Sequence, residues 1–233
     1  MINIRFIVLS CDKYLNTRVE SIRNTWGKNK KITFLSDSKS ELPDVLGFNT
    51  RKDYFGIFEK YLNFFKTFNF LNEDYFFFAD DDTFIHLKNL EKLKLPNKNI
   101  LFCIGRVLCL NPDGTDIQGV QTGTNVSFIH GDRTNLPIYY PSGGSGFILS
   151  QESCISIQKY LNNCTDVPYS KFSDVSVGFW MRNCQVELIG NNNFWWDTHE
   201  KLVGLYSSDE DAITHHYVND NLMLEYHKKY NQI

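Results

Sequence analysis

The sequence predicts a single α/β domain built on a mostly parallel central sheet. Three observations carry this expectation. Strand-like apolar runs alternate with helical stretches through the first half of the chain, the pattern of βαβ units. Two of those runs, residues 4–9 (apart from Arg5) and 75–79, are apolar in succession rather than alternating, as strands buried on both faces are. The chain has 233 residues, 42% of them hydrophobic, with no linker, repeat or low-complexity tract, so one well-filled core is within reach.

Residues 4–9 read as the first, central strand. Residues 13–26 follow as a helix, with Leu15, Val19 and Ile22 on one face and Gly27 just beyond as a stop. Residues 31–35 are a second strand. Residues 51–72 form a long amphipathic helix, because Phe55, Phe58, Leu62 and Phe65 recur at helical spacing; that stripe belongs to the core. Residues 75–79 are a strand, residues 86–95 a helix that stops at Pro96, and residues 100–105 another strand. Residues 111–141, rich in Gly, Asn, Asp, Thr and Pro, read as an irregular hairpin region over a cleft, with a strand at 126–129. Helices at 151–161 and 173–183, a strand at 186–189 and a terminal helix at 219–230 complete the pattern.

The run Tyr75-Phe76-Phe77-Phe78-Ala79 ends abruptly in Asp80-Asp81-Asp82. Three adjacent carboxylates repel one another, and the carboxyl end of a strand is where open α/β sheets place ligands. One Asp is explained by a cap on the next helix. Three are better explained by a hard divalent cation, which favours carboxylate oxygen. The net charge of −3 leaves no basic footprint, which argues against nucleic acid and anionic membrane as partners. No segment approaches membrane-spanning length, and the amino-terminal apolar run is too short for a signal peptide. The six cysteines include no Cys-x-x-Cys pair, so they read as buried free thiols rather than a zinc or redox site.

Further along, Ser142-Gly143-Gly144-Ser145-Gly146 follows Pro141 and precedes an apolar strand. Adjacent glycines permit close backbone approach to a ligand, and the lack of a following Gly-Lys-Ser/Thr argues against a phosphate-cradling P-loop. Asp174 stands at the start of a helix that either it or Ser173 could cap, and it is also the candidate base; both roles can coexist. Trp26 reads as core. Trp195 and Trp196, beside a run of asparagines, suit a sugar-stacking platform.

Four ordered segments together resemble a family. They are residues 18–27 with Lys31-Ile32-Thr33-Phe34-Leu35-Ser36-Asp37, then Phe78-Ala79-Asp80-Asp81-Asp82-Thr83-Phe84, then residues 140–150, then Ser173-Asp174-Val175-Ser176-Val177-Gly178 with Ala212-Ile213-Thr214-His215-His216-Tyr217-Val218. This order is similar to the Fringe and core-1 β1,3-galactosyltransferase family of inverting glycosyltransferases, over about residues 4–230. The resemblance implies a GT-A fold, a UDP-sugar donor and Mn²⁺ or Mg²⁺. It implies a nucleotide-binding part over about residues 1–105 and an acceptor and metal-histidine part over about 106–233. It makes Asp82 the main metal ligand, Asp80 a second, and His216 the metal-binding histidine. His215 is the competitor, but adjacent side chains on a strand point oppositely, so only one faces a metal. Asp81, Arg18 and Ser10 are placed against the nucleotide, with Arg23 the alternative to Arg18. Gly143 and Gly144 are placed beside the donor sugar, and Asp174 is the general base.

The function expected is transfer of a hexosyl group from a UDP-sugar to a hydroxyl of a glycan or glycosylated protein, β1,3-linked. A non-catalytic carbohydrate-binding module is the alternative, and it calls for loss of the base or the metal motif. A metal-dependent phosphoesterase calls for more clustered His or Asp ligands than the sequence holds. Without the amino-terminal anchor and the disulfide candidates of Golgi relatives, the expected enzyme is cytoplasmic or otherwise soluble, from a microbe or virus.

Overall fold

The computed structural model describes residues 3–111, 136–170, 172–196 and 209–231. Strands β1 (Ile4–Leu9), β2 (Ile32–Ser36), β3 (Val45–Gly47), β4 (Tyr75–Asp80), β6 (Phe102–Gly105), β9 (Phe147–Ser150) and β10 (Glu187–Gly190) form the main sheet, in the order β10-β6-β9-β4-β1-β2-β3. The β1–β2, β1–β4, β2–β3 and β6–β10 pairs are parallel; only β9 runs against its neighbours β4 and β6. The sheet is therefore mostly parallel, as expected. From β1 the chain winds outward through β2 and β3, then returns to β4 on the other side of β1. The strand order reverses there, and the crevice at the carboxyl ends of β1 and β4 is the natural ligand position.

The apolar strands are apolar because both faces are covered. Ile7, Leu9, Phe76 and Phe78 lie in one core cluster; Phe6, Val8, Phe77 and Ala79 lie in the other. Helix α2 (Phe55–Thr67) covers the first face, with Phe58, Tyr61, Phe64 and Phe65 buried. Phe65 stacks on Phe78 at 5.5 Å and Phe78 on Phe147 at 4.9 Å, so the aromatic stripe is core. Helices α4 (Gln151–Asn163) and α5 (Ser173–Asn183) complete that layer. Helices α1 (Arg18–Arg23) and α6 (Asp220–Tyr226) pack together on the other side, and α3 (Leu87–Lys92) sends Leu90 into that core.

Several helices are shorter than the apolar pattern suggests. The single helix expected over 13–26 is a 3₁₀ turn at Asp12–Tyr14 followed by α1. Asp12 causes the break: its backbone N–H donates to Asp37 Oδ1 at 2.8 Å, and its carboxylate accepts from Ser36 and Ser38. These contacts tie the segment to the end of β2. Helix α2 starts later than residue 51, because the Asp53 carboxylate accepts the N–H groups of Phe55 and Gly56. The terminal helix gives way at Tyr226 to a wider π turn, His227–Asn231.

The irregular region at 111–141 lies mostly outside the described residues, as does the strand expected at 126–129. Its flanks, β7 (Val107–Leu110) and β8 (Ile138–Pro141), pair antiparallel. A small sheet of two-residue strands, β11 (Phe194–Trp195), β12 (Thr214–His215) and β5 (Phe84–Ile85), was not expected as such. All six cysteines are free; Cys103, Cys109 and Cys154 are buried, whereas Cys11, Cys164 and Cys184 are partly exposed. Among the described residues no helix is long and apolar enough to cross a membrane.

Candidate active site

Strand β4 ends at Asp80, and the next two acids occupy the turn that follows. The turn is fixed by Asp81 N–H donating to Leu9 O at 3.1 Å and Thr83 N–H to Asp80 O at 3.1 Å. The acids diverge. Asp81 faces the end of β1: Ser10 Oγ donates to its Oδ2 at 2.6 Å and Arg18 to its Oδ1 at 2.7 Å. Arg18 also reaches Asp82 Oδ2 at 3.2 Å, and its guanidinium lies over the Tyr14 ring. Asp80 and Asp82 face His216 instead. Ligand atoms of Asp80, Asp82 and His216 lie within 4.8 Å of one another.

The two histidines face opposite ways at the end of β12, whose last residue is His215. His215 points inward, 1% exposed, stacked on Trp195 at 4.7 Å. His216 points to the acids, with Nε2 at 3.3 Å from Asp82 Oδ1 and 3.8 Å from Asp80 Oδ2. Its Nδ1 lies 3.0 Å from Trp196 O, so an Nδ1–H donated there leaves the Nε2 lone pair facing the carboxylates. The Val218 N–H donates to Asp82 O at 2.8 Å, tying the two segments together.

The electrostatics are uneven. Burial pushes the Asp80 carboxyl up to about 7; Asp82, Asp81 and Asp174 add to the rise and His216 opposes it. Among the described residues, His216 is the only ion-pair partner of Asp80. Burial also raises Asp82, but its bond to His216 and the charges of His216 and Arg18 outweigh burial and leave it below the usual range. Asp81 stays above the usual range through burial, despite Ser10 and Arg18. His216 is pulled down by burial and pulled up further by Asp82 and Asp80, so it ends above its usual value. Two carboxylates and an imidazole nitrogen are a donor set that fits Mn²⁺, and a cation there would offset the mutual repulsion of the neighbouring acids.

The glycine loop separates this cluster from Asp174. Gly143 N–H donates to Asp174 Oδ2 at 3.3 Å, while Gly144 lies directly against the His216 ring, with no room for a Cβ. Asp174 sits in the first turn of α5, and its Oδ1 accepts the Val175 N–H at 2.9 Å. Phe172 is the N-cap residue and makes no side-chain cap, so neither Ser173 nor Asp174 caps from that position. Burial raises the Asp174 carboxyl above the usual range, against the two N–H donors.

The structure thus brings Ser10, Arg18, Asp80, Asp81, Asp82, Gly143, Gly144, Asp174 and His216 into one contiguous cluster. Arg23 is elsewhere, bonded to Asp44 and Glu20. Trp26 is core, its Nε1 donating to Thr83 O. Trp195 is buried and cannot serve as a platform; Trp196 is 37% exposed and can. Sequence reasoning missed Lys60, which is 5% exposed and donates to Ser10 O at 2.5 Å. The signal was a lysine on the otherwise apolar face of α2. Burial lowers its ammonium below the usual range.

The sequence matches the Fringe-like family over residues 1–233. The chain belongs to the Fringe-like family. No curated protein sequence matches it. Among solved structures, the galactosyltransferase LgtC, crystallised with donor and acceptor sugar analogues, is similar with a TM-score of 0.51 at 11% identity. That match covers 98% of this chain and 97% of the other. The glycosyltransferase GlyE of Streptococcus pneumoniae TIGR4 is similar with a TM-score of 0.47 at 9% identity, covering 97% of this chain and 60% of that one. The catalytic domain of Drosophila β1,4-galactosyltransferase 7 gives 0.44 at 11% identity, over 95% and 73%. The fold of this Fringe-like chain is GT-A, and family and fold together support a glycosyltransferase.

Proposed function

We propose that this Fringe-like chain transfers a hexosyl group, with inversion, from a UDP-sugar to a hydroxyl of a glycan or glycosylated protein, in β1,3 linkage. The observation that carries the reading is the convergence of Asp80, Asp82 and His216 at the carboxyl end of β4. These three residues are assigned to a divalent cation, Mn²⁺ before Mg²⁺ because an imidazole joins the carboxylates. When bound, the cation neutralises negative charge on the departing diphosphate.

The rest of the chemistry belongs to the chain. Asp174 accepts the proton of the acceptor hydroxyl as that oxygen bonds to the anomeric carbon. The bond from that carbon to the diphosphate oxygen breaks, and the electron pair leaves with UDP. A carboxyl raised by burial is a better proton acceptor than a solvated one. Asp81 is assigned to the nucleotide, oriented by Ser10 and Arg18. Gly143 and Gly144 shape the floor between donor sugar and base, and Trp196 is assigned to the acceptor.

Thermal shift with UDP, with and without Mn²⁺, tests the reading. A ligand stabilises the state it binds, so UDP should raise the melting temperature far more with Mn²⁺ than without. A UDP effect independent of Mn²⁺ overturns the metal assignment. A screen of UDP-sugars for donor hydrolysis then names the hexose.

A further inference from the structure

Two buried hydroxyls grip successive carbonyls of the glycine loop. Thr83 Oγ1 donates to Gly144 O at 2.8 Å, and Thr214 Oγ1 donates to Ser145 O at 2.6 Å. Both threonines are 0% exposed. Thr83 directly follows the acid triplet, and Thr214 lies two residues before His216 on β12. One hydroxyl therefore ties the loop to the segment carrying Asp80 and Asp82. The other ties it to β12, which His216 directly follows.

The loop's third contact is steric. A Cβ at Gly144 would overlap Cε1, Nδ1 and Nε2 of the His216 ring, so the glycine backbone is a wall against which the imidazole rests. A run with Gly143, Gly144 and Gly146 has wide conformational freedom, and Gly146 already uses a φ of +74°. Fixing two adjacent carbonyl directions fixes the peptide planes between residues 144 and 146, and with them the wall.

We propose that Thr83 and Thr214 are positioning residues for His216, acting through the glycine loop. The proposal rests on the reading of His216 as a metal ligand. Thr83, Thr214 and Gly144 form a clamp that sets the distance of Nε2 from Asp80 and Asp82. A purely structural role differs in one respect: it satisfies two buried carbonyls and leaves the imidazole indifferent.

The test titrates MnCl₂ calorimetrically into the UDP-saturated full chain. Thr83→Val and Thr214→Val remove each hydroxyl at nearly constant shape. Each should weaken Mn²⁺ binding about 10–100-fold, the range for partners that orient metal ligands. Thr83→Ser should restore most of it. In a His216→Ala background neither valine variant should weaken Mn²⁺ further, because the clamp has nothing left to position. Valine variants with lowered melting temperatures and unchanged Mn²⁺ affinity, beside a His216→Ala that weakens it, overturn the positioning role alone. A His216→Ala with unchanged Mn²⁺ affinity overturns the metal reading and the clamp with it. Should neither valine variant fold, Gly144→Ala decides. It leaves both hydroxyls in place and pushes the ring, and unchanged Mn²⁺ affinity in that variant overturns the proposal.

Discussion

His216 Nε2 lies 3.3 Å from Asp82 Oδ1, and the other oxygen of the same carboxylate, Oδ2, lies 3.2 Å from the Arg18 guanidinium. Asp82 is thus held ionised from both sides, while Asp80, two residues earlier, has no arginine. The two carboxylates differ for a structural reason: Asp82 reaches both Arg18 and His216, whereas Asp80 reaches His216 and, among the described residues, no arginine. The ionised partner should dominate metal capture. Asp82→Ala is expected to abolish Mn²⁺-dependent UDP binding and nearly all transfer while the fold persists. Mn²⁺-dependent UDP affinity retained in a folded variant sinks the assignment.

The two adjacent histidines should separate cleanly. His216→Ala is expected to weaken Mn²⁺ by at least about tenfold, the lower bound seen even for outer-shell partners, with little change in melting temperature. His215 is buried against Trp195, and its ring touches Phe84's neighbour His86. His215→Ala should therefore cost on the order of 2–4 kcal/mol through a cavity and leave Mn²⁺ affinity nearly intact. Calorimetry and melting curves on both variants check this, and reversed effects would mean the register of β12 is wrong.

Mn²⁺ affinity should rise with pH. A ligating imidazole must be neutral, and His216 is raised above its usual value by its acidic partners. Asp80, pushed up to about 7, must also lose its proton to ligate. The Asp80 proton is held below about pH 7 and released above it, and the His216 proton is held above the usual imidazole range, so the cation competes poorly in acid and better as pH rises. Each displaced proton contributes up to about tenfold per pH unit below its pKa. Calorimetry in buffers of different ionisation enthalpy counts the protons released. A flat affinity between about pH 6 and 8 contradicts the arrangement.

The tryptophan pair offers a further contrast. Trp195 is 1% exposed, so Trp195→Ala should cost about 3–5 kcal/mol in stability. Trp196 is 37% exposed, and what it gives His216 is its backbone carbonyl, which alanine keeps. Trp196→Ala should raise the acceptor KM by roughly twofold to tenfold, the worth of an aromatic contact, without altering Mn²⁺-dependent UDP binding. Initial rates across acceptor concentrations read this out, and an unchanged KM removes Trp196 from the acceptor side.

The legible parts of this molecule were those written locally. The apolar run into three acids marked β4 and its end, and the helix read at 173–183 is α5 with the same bounds. The expectation that His215 and His216 face opposite ways matches the structure, although only His215 lies within β12. Contacts between distant segments were not legible. Asp12 breaks the first helix because Ser36 and Ser38 reach it from β2, and nothing within residues 13–26 announces that. The two-residue strands β5, β11 and β12 are too short to show a period. Which tryptophan is buried depends on β11 pairing with β12. The fit of Gly144 against His216 joins residues 72 positions apart, so the glycine signalled a close approach without naming the group that approaches.

Asp174→Asn is the sharpest test of the base. The wild-type carboxylate accepts Val175 N–H on Oδ1 and Gly143 N–H on Oδ2. An asparagine keeps one acceptor oxygen, so it can hold the shorter Val175 bond and must present its amide to Gly143. The Gly143 contact is long at 3.3 Å, and Asp174 is not the N-cap of its helix, so the loss in stability should be about 1 kcal/mol. The metal cluster lies beyond Gly144 and should keep its UDP and Mn²⁺ affinity. Turnover is expected to fall by about 10²–10⁴-fold, the usual worth of a positioned proton acceptor. A structural role for Asp174 predicts a different pattern, in which activity falls only as far as folding does. Turnover measured beside the melting temperature separates the two. Near-normal turnover in a folded Asp174→Asn would mean that another group takes the proton.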